Sequence, residues 1–199
     1  MDGVIPEAEL SSPETMFKKA REALQAWINR IEADGIAIIE RAQLRVPLSK
    51  ETANIIQRRF GDLSMMNSRF NTAYSSTTNE RLKQNPEEWY LYHTLYREAR
   101  KDWAEVPFEK IAKSLKKRPD WVIGDFGCGE AKLATLLPNK VHSFDHVAIN
   151  EKVLACDITH TPVDDGALDV AVFSLSLMGL NYAEYFKEAY RTLKFGGLL

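Results

Sequence analysis

The sequence is short of several things, and each shortage removes a class of protein. It has two cysteines, Cys128 and Cys156, in 199 residues. That is too few for a disulfide framework and points to a reducing, intracellular setting. No apolar run nears the roughly 18 residues that a membrane-crossing helix requires. The acidic start, Met1-Asp2-Gly3, is unlike a secretion signal. No cysteines and histidines stand at zinc-binding spacing, so no metal is expected. Charge is close to balanced at −2, which does not by itself mark a nucleic-acid binder. Lys and Arg exceed Asp and Glu by two over residues 1–120 and fall short by four over 121–199. A mildly basic first part suits a phosphate-facing surface, and a mixed solvated surface equally well.

What is present falls into four stretches. Residues 1–11 read as a loose leader. Residues 12–63 read as a small helical module in which no chemistry is evident. Ser12-Pro13 opens its first helix, Ile36 to Ile39 is β-prone, and Ser49 starts a second helix that Gly61 ends. Residues 64–119 form a helical cap or substrate region. Its Ser-, Thr- and Asn-rich start, 64–80, reads as a loop, with helices predicted from Pro86 and Pro107. From residue 120 onward short apolar runs alternate with helical or turn segments, the grammar of a parallel α/β sheet. The strands are predicted at Trp121–Asp125, Val141–Phe144, Val153–Cys156 and Leu168–Phe173. Helices are predicted over 131–137 and 182–193. No internal repeat is evident.

Chemistry concentrates after the first of these strands, at Asp125-Phe126-Gly127-Cys128-Gly129. Glycines between a strand and a helix let backbone bend tightly and approach a ligand at the C-terminal edge of the sheet. The third glycine of a dinucleotide fingerprint is missing, which argues against a nicotinamide cofactor. Asp145 ends the second strand, 18 residues after Gly127, in reach of ribose hydroxyls. Asp157 follows the third strand, where a carboxylate or its backbone suits an adenine amino group. Each aspartate alone is as readily a turn former or helix cap. At successive strand ends they read together as a nucleoside site. The two cysteines read as packing residues.

The motifs resemble one family. They are Asp125 to Glu130, Ser143-Phe144-Asp145, Ala155-Cys156-Asp157-Ile158, Asp169 to Gly179, and Leu193-Lys194-Phe195-Gly196-Gly197, with Ser68-Arg69-Phe70, Tyr92-His93, Trp103 and Lys117-Arg118-Pro119 upstream. Over residues 64–199 the chain resembles the ribosomal RNA-processing protein 8, or nucleomethylin-like, methyltransferases. The resemblance implies a Rossmann-like class I methyltransferase sheet and S-adenosylmethionine as cofactor. It implies cofactor contacts at His93, Gly127, Asp145, Asp157, Ile158 and Ser174. Ile158 and Ser174 stand where other versions of the motif have methionine and cysteine. Without the resemblance, His93 on an aromatic helix reads as a packed structural histidine.

The implied reaction is methylation of N1 of an unpaired adenine in large-subunit ribosomal RNA. It is an in-line displacement that needs alignment more than a strong base. Arg69 is a candidate RNA contact. The Asp/Asn-Pro-Pro-aromatic signature of amino-group adenine methyltransferases is absent after the fourth strand, where Ser174-Leu175-Ser176-Leu177 stands. A protein or small-molecule methyltransferase and a non-catalytic binding module are the alternatives. The resemblance implies a seven-stranded sheet, whereas the sequence stops at the start of a fifth strand. Four strands are therefore expected, with an unpaired edge on strand four that a further segment or a protein partner would cover. Localisation is expected to be cytoplasmic in a bacterium and nuclear or nucleolar in a eukaryote.

Overall fold

The computed structural model of the chain describes residues 57–199, together with Asn54. The expected leader, the helix from Ser12, the β-prone run at Ile36 and the helix start at Ser49 lie outside the described residues. The end of that second helix is described: residues 57–60 are helical, and Gly61 N–H donates to the Gln57 carbonyl at 2.8 Å.

Residues 64–80 are not the loop that their composition suggests. They carry two helices, α1 (Leu63–Asn71) and α2 (Ser75–Gln84). The Asp62 carboxylate caps α1 by accepting from Met65 N–H at 2.8 Å, and Met66 and Phe70, one turn apart, are buried. Helix α2 is polar and weakly amphipathic, so tertiary hydrogen bonds hold it. Its Ser75 N–H donates to Asn181 Oδ1 at 2.9 Å, and Asn79 Nδ2 meets His146 Nδ1 at 3.0 Å. Propensity gave way to partners more than a hundred residues distant.

Proline opens both α3 (Pro86–Ala99) and α4 (Pro107–Leu115), as predicted. A single 3₁₀ turn, Arg100–Asp102, extends α3. Phe60, Met66, Phe70, Leu82, Trp89, Leu91 and Tyr92 form the core of this helical part. Beneath it Glu88 is fully buried between two arginines, Arg81 at 2.6 Å and Arg69.

The remainder is a sheet of five parallel strands in the order β3-β2-β1-β4-β5. The strands are β1 (Ile123–Phe126), β2 (Val141–Asp145), β3 (Val153–Ala155), β4 (Leu168–Val172) and β5 (Leu193–Leu198). Helices α5 (Lys132–Leu136) and α6 (Tyr182–Thr192) complete it. Both faces are covered, as parallel sheets require. Ala112, Leu115, Ile123, Leu133, Val170 and Val172 pack on the face toward α4 and α5. Phe126, Phe144, Leu168, Ala171, Tyr185 and Ala189 pack on the face toward α6.

The expectation of four strands is corrected here. Leu193 to Leu198 forms β5 along β4, so β4 is an inner strand with no free edge. The pairing slips: Leu168 aligns with Leu193 but Val170 with Leu198. Backbone pairing does not need a perfect register, and an irregular last strand still satisfies the β4 carbonyls and amides.

Candidate functional site

The C-terminal ends of β1, β2 and β4 open into a cleft of about 1000 Å3, the space at its mouth included. Helices α2 and α3 form its other wall. Its size is in the range of small-molecule sites. His93, Gly127, Asp145, Ile158 and Ser174, five of the residues singled out from sequence, all line it. Asp157 does not line it but holds a wall residue in place, accepting from Ser75 Oγ at 2.8 Å and from Thr159 N–H at 3.0 Å. Arg69 also stands outside the cleft. Its guanidinium is engaged by Glu88 and by the Phe60 carbonyl at 2.9 Å.

The glycine loop turns directly off β1. Gly127 and Cys128 N–H both donate to the Phe144 carbonyl, at 2.8 and 2.9 Å, so the loop folds back over β2. Gly127 has φ +74° and Gly129 φ +57°, a left-handed region that side chains disfavour. Space forbids a side chain as well. A Cβ on Gly127 would lie 2.3 Å from Ser176 Cβ, and one on Gly129 2.6 Å from His93 Cε1. Ser176, whose hydroxyl donates to the Phe126 carbonyl, carries the loop after β4 across the site. Leu175 beside it holds φ +60° without being glycine, a strained backbone at the cleft wall.

Two carboxylates lie at the floor. Asp145 accepts from Gly129 N–H at 2.6 Å and from His146 N–H at 2.7 Å. Burial nevertheless raises its pKa to about 7, the two backbone donors pulling the other way. Asp125 is likewise raised to about 7, by burial and then by the neighbouring Asp145. A cation in the cleft would favour ionisation of both. The cysteines fit the packing role assigned from sequence. Burial, then Asp145, holds the Cys128 thiol well above its ordinary value and pushes Cys156 up to about 12, so neither is a ready thiolate.

His93 is buried against Trp89, whose ring centroid lies 4.6 Å away edge-on. Burial lowers its pKa to about 4, so the imidazole is neutral near pH 7. Its Nε2 has no hydrogen-bond partner within the chain. A buried ring nitrogen left unpaired costs about 1–3 kcal/mol, a debt that a ligand would relieve. Trp89, Tyr92 and Tyr96 continue this wall as a stacked series, at 5.3 and 6.3 Å between successive centroids.

Sequence reasoning missed the far end of the cleft, lined by Tyr96, Arg100, Phe108, Glu130 and Lys132. A signal existed. His93, Tyr96, Arg97 and Arg100 recur at spacings of three and four along one helix face.

The chain matches, over residues 50–199, the family model described as "Hypothetical methyltransferase". It belongs to that methyltransferase family. The resemblance read from the motifs is borne out by its relatives. The family member named "Ribosomal RNA-processing protein 8" in Arabidopsis thaliana is 40% identical over 140 residues, 70% of this chain and 49% of that protein. The protein of Drosophila melanogaster with the same name is 44% identical, over 62% of this chain and 36% of its own. In Schizosaccharomyces pombe a protein named "25S rRNA (adenine(645)-N(1))-methyltransferase" is 42% identical, over 67% of this chain and 46% of its own. The chain thus spans half the length or less of these relatives. A solved structure described as a putative S-adenosyl-L-methionine-dependent methyltransferase from Methanococcus maripaludis is more distant. It is 23% identical with a TM-score of 0.35, over 46% of this chain and 52% of that one.

Proposed function

We propose that the cleft binds S-adenosylmethionine and that the protein methylates N1 of an unpaired adenine in large-subunit ribosomal RNA, inside the cell. The observation that carries the reading is the convergence of His93, Gly127, Asp145, Ile158 and Ser174 on one cleft at the C-terminal edge of a parallel sheet. The residues fit the cofactor. The cradle over Gly127 and Gly129 admits no Cβ, and His93 Nε2 is an orphaned buried polar atom. The name of the fission-yeast relative supports the adenine and its N1.

When bound, S-adenosylmethionine supplies an electrophilic methyl group on a sulfonium. The chain does the positioning. Asp145 has lone pairs left on both oxygens for ribose hydroxyls, and Ile158 offers an apolar face to a base. Asp157 sets Ser75 at the wall rather than touching the cofactor itself. Gly127 and Gly129 let backbone reach the ligand, while the faces of Tyr92 and Tyr96 exclude water and favour a cation. N1 of an unpaired adenine carries a free lone pair, so no side chain needs to remove a proton before attack. Rate then comes from alignment in a dry site.

Calorimetric titration of the 199-residue chain with S-adenosylhomocysteine, alongside Asp145→Ala, tests the binding half. Loss of hydrogen bonds to a charged acceptor should weaken binding by about ten-fold or more. A folded chain that does not bind S-adenosylhomocysteine refutes the cofactor reading, and an unchanged Asp145→Ala variant refutes the ribose role. Transfer of labelled methyl to an unmodified ribosomal RNA fragment, mapped to adenine N1, tests the substrate. Transfer to protein or small molecules instead would overturn it.

A further inference from the structure

Beyond Gly129 the cleft ends in a cluster of charge that the nucleoside contacts do not use. Glu130 follows Gly129 directly and faces three cations, Arg97, Arg100 and Lys132. Only Arg97 is in hydrogen-bonding contact, through Glu130 Oε1. The other oxygen, Oε2, is sealed from solvent and has no hydrogen-bond partner. Its nearest cations are Arg100 at 3.6 Å and Lys132 Nζ at 3.9 Å, both beyond hydrogen-bonding reach. One carboxylate among three cations leaves an excess of two positive charges at the cleft wall. The same cluster holds an acceptor with nothing to accept.

Arg100 is fixed rather than free. Its guanidinium lies 5.5 Å from the centre of the Tyr96 ring and 5.2 Å from that of Phe108. Its side chain is 17% exposed. A planar guanidinium held between two rings is preorganised for a carboxylate and loses little entropy on binding one. Arg100, Glu130 and Lys132 all line the same cleft as Asp145. A ligand with its ribose at Asp145 and its backbone contact at Gly129 therefore meets this cluster next.

We infer that Arg100, Glu130 and Lys132 form a receptor for the zwitterionic amino-acid head of the cofactor. Arg100, with Lys132 beside it, takes the carboxylate, and Glu130 Oε2 takes the ammonium. The arrangement answers both anomalies at once, since an ammonium supplies the missing donor and a carboxylate the missing negative charge. It rests on the cofactor reading proposed above and adds to it the residues that distinguish the amino-acid end from the nucleoside end.

The test compares two ligands on the full chain by calorimetry. S-adenosylhomocysteine carries the amino-acid head, and 5′-methylthioadenosine is the same nucleoside thioether without it. The wild-type chain should bind the first more tightly by about ten-fold or more, the worth of one charge-assisted contact. Arg100→Met should erase most of that preference and leave 5′-methylthioadenosine binding within about two-fold. Lys132→Met, on a more exposed side chain, serves as the second variant and should lower the preference by a smaller factor. Decarboxylated S-adenosylhomocysteine separates the two charges, because it should be insensitive to Arg100→Met and still sensitive to Glu130→Gln. Equal wild-type affinity for the two main ligands overturns the inference. So does an Arg100→Met variant that weakens both ligands alike, which would make Arg100 a scaffold residue. If neither ligand binds the folded wild-type chain, the cofactor reading fails with it, an outcome distinct from either.

Discussion

Placing a methyl group on Gly127 perturbs the site at its tightest point, and the structure separates the two penalties involved. The first is conformational. At φ +74° an alanine is held in the left-handed region, at about 1 kcal/mol. The second is steric, because the new Cβ would stand 2.3 Å from Ser176 Cβ and 3.5 Å from its Cα. Ser176 cannot swing away without giving up its hydrogen bond to the Phe126 carbonyl. Overpacking of this kind costs about 1–3 kcal/mol, so Gly127→Ala should lose about 2–4 kcal/mol in all. Gly166 provides the control. It also has a positive φ, +63°, but a Cβ there would meet nothing nearer than the Leu193 carbonyl oxygen at 3.9 Å. Gly166→Ala should therefore lose only the conformational part, about 1 kcal/mol. Urea unfolding of the two variants measures the difference, and titration with S-adenosylhomocysteine should show binding weakened in Gly127→Ala alone. Equal destabilisation of the two variants would refute the steric argument. Undiminished binding by Gly127→Ala would refute the claim that the loop approaches a ligand.

Two further outcomes follow from buried charge. The folded chain retains a proton on Asp125 up to about pH 7, whereas the unfolded chain releases it near the ordinary value of 3.8. The stability it contributes is therefore present at low pH and lost as pH rises between those values. Asp125→Asn should gain stability over the wild type at pH 8 relative to any change at pH 5, measured by thermal unfolding at both. An identical difference at the two pH values would sink the argument. Glu88→Ala leaves Arg69 and Arg81 without their shared carboxylate in a wholly buried position and should destabilise the chain by about 3 kcal/mol. A loss below about 0.5 kcal/mol in urea titration would show that the ion cluster contributes little.

The α/β half could be read from sequence because its signals are local. Apolar runs bounded by Asp125, Asp145 and the Asp165-Gly166 turn mark strands whatever surrounds them, and the glycine loop is fixed by its own backbone. The helices at Leu63–Asn71 and Ser75–Gln84 could not be read in the same way. Ser75, Thr78 and Asn79 resemble a loop until Asn181, Asp157 and His146 are brought to them. Strand β5 was hidden for a related reason, since Lys194, Phe195 and Gly196 are exposed and show no buried face. Their strand character comes from pairing with β4. Of the site, the nucleoside end was visible as residues at strand tips. The far end was not, because Arg100 and Glu130 lie thirty positions apart and meet only through the packing of α3 on the glycine loop.

That packing bears on where the molecule can be divided. The change of grammar at residue 120 suggests a boundary, yet the cleft takes Trp89, His93 and Arg100 from one side of it and Gly127, Asp145 and Ser174 from the other. Side-chain hydrogen bonds from Ser75 and Asn79 to the tips of the sheet fasten the two sides together. Expression of residues 120–199 alone would retain every strand and leave the cleft with one wall. The helical part is thus an integral half of the binding surface, and loops joining the two sides are better sites for tags or insertions than for a cut.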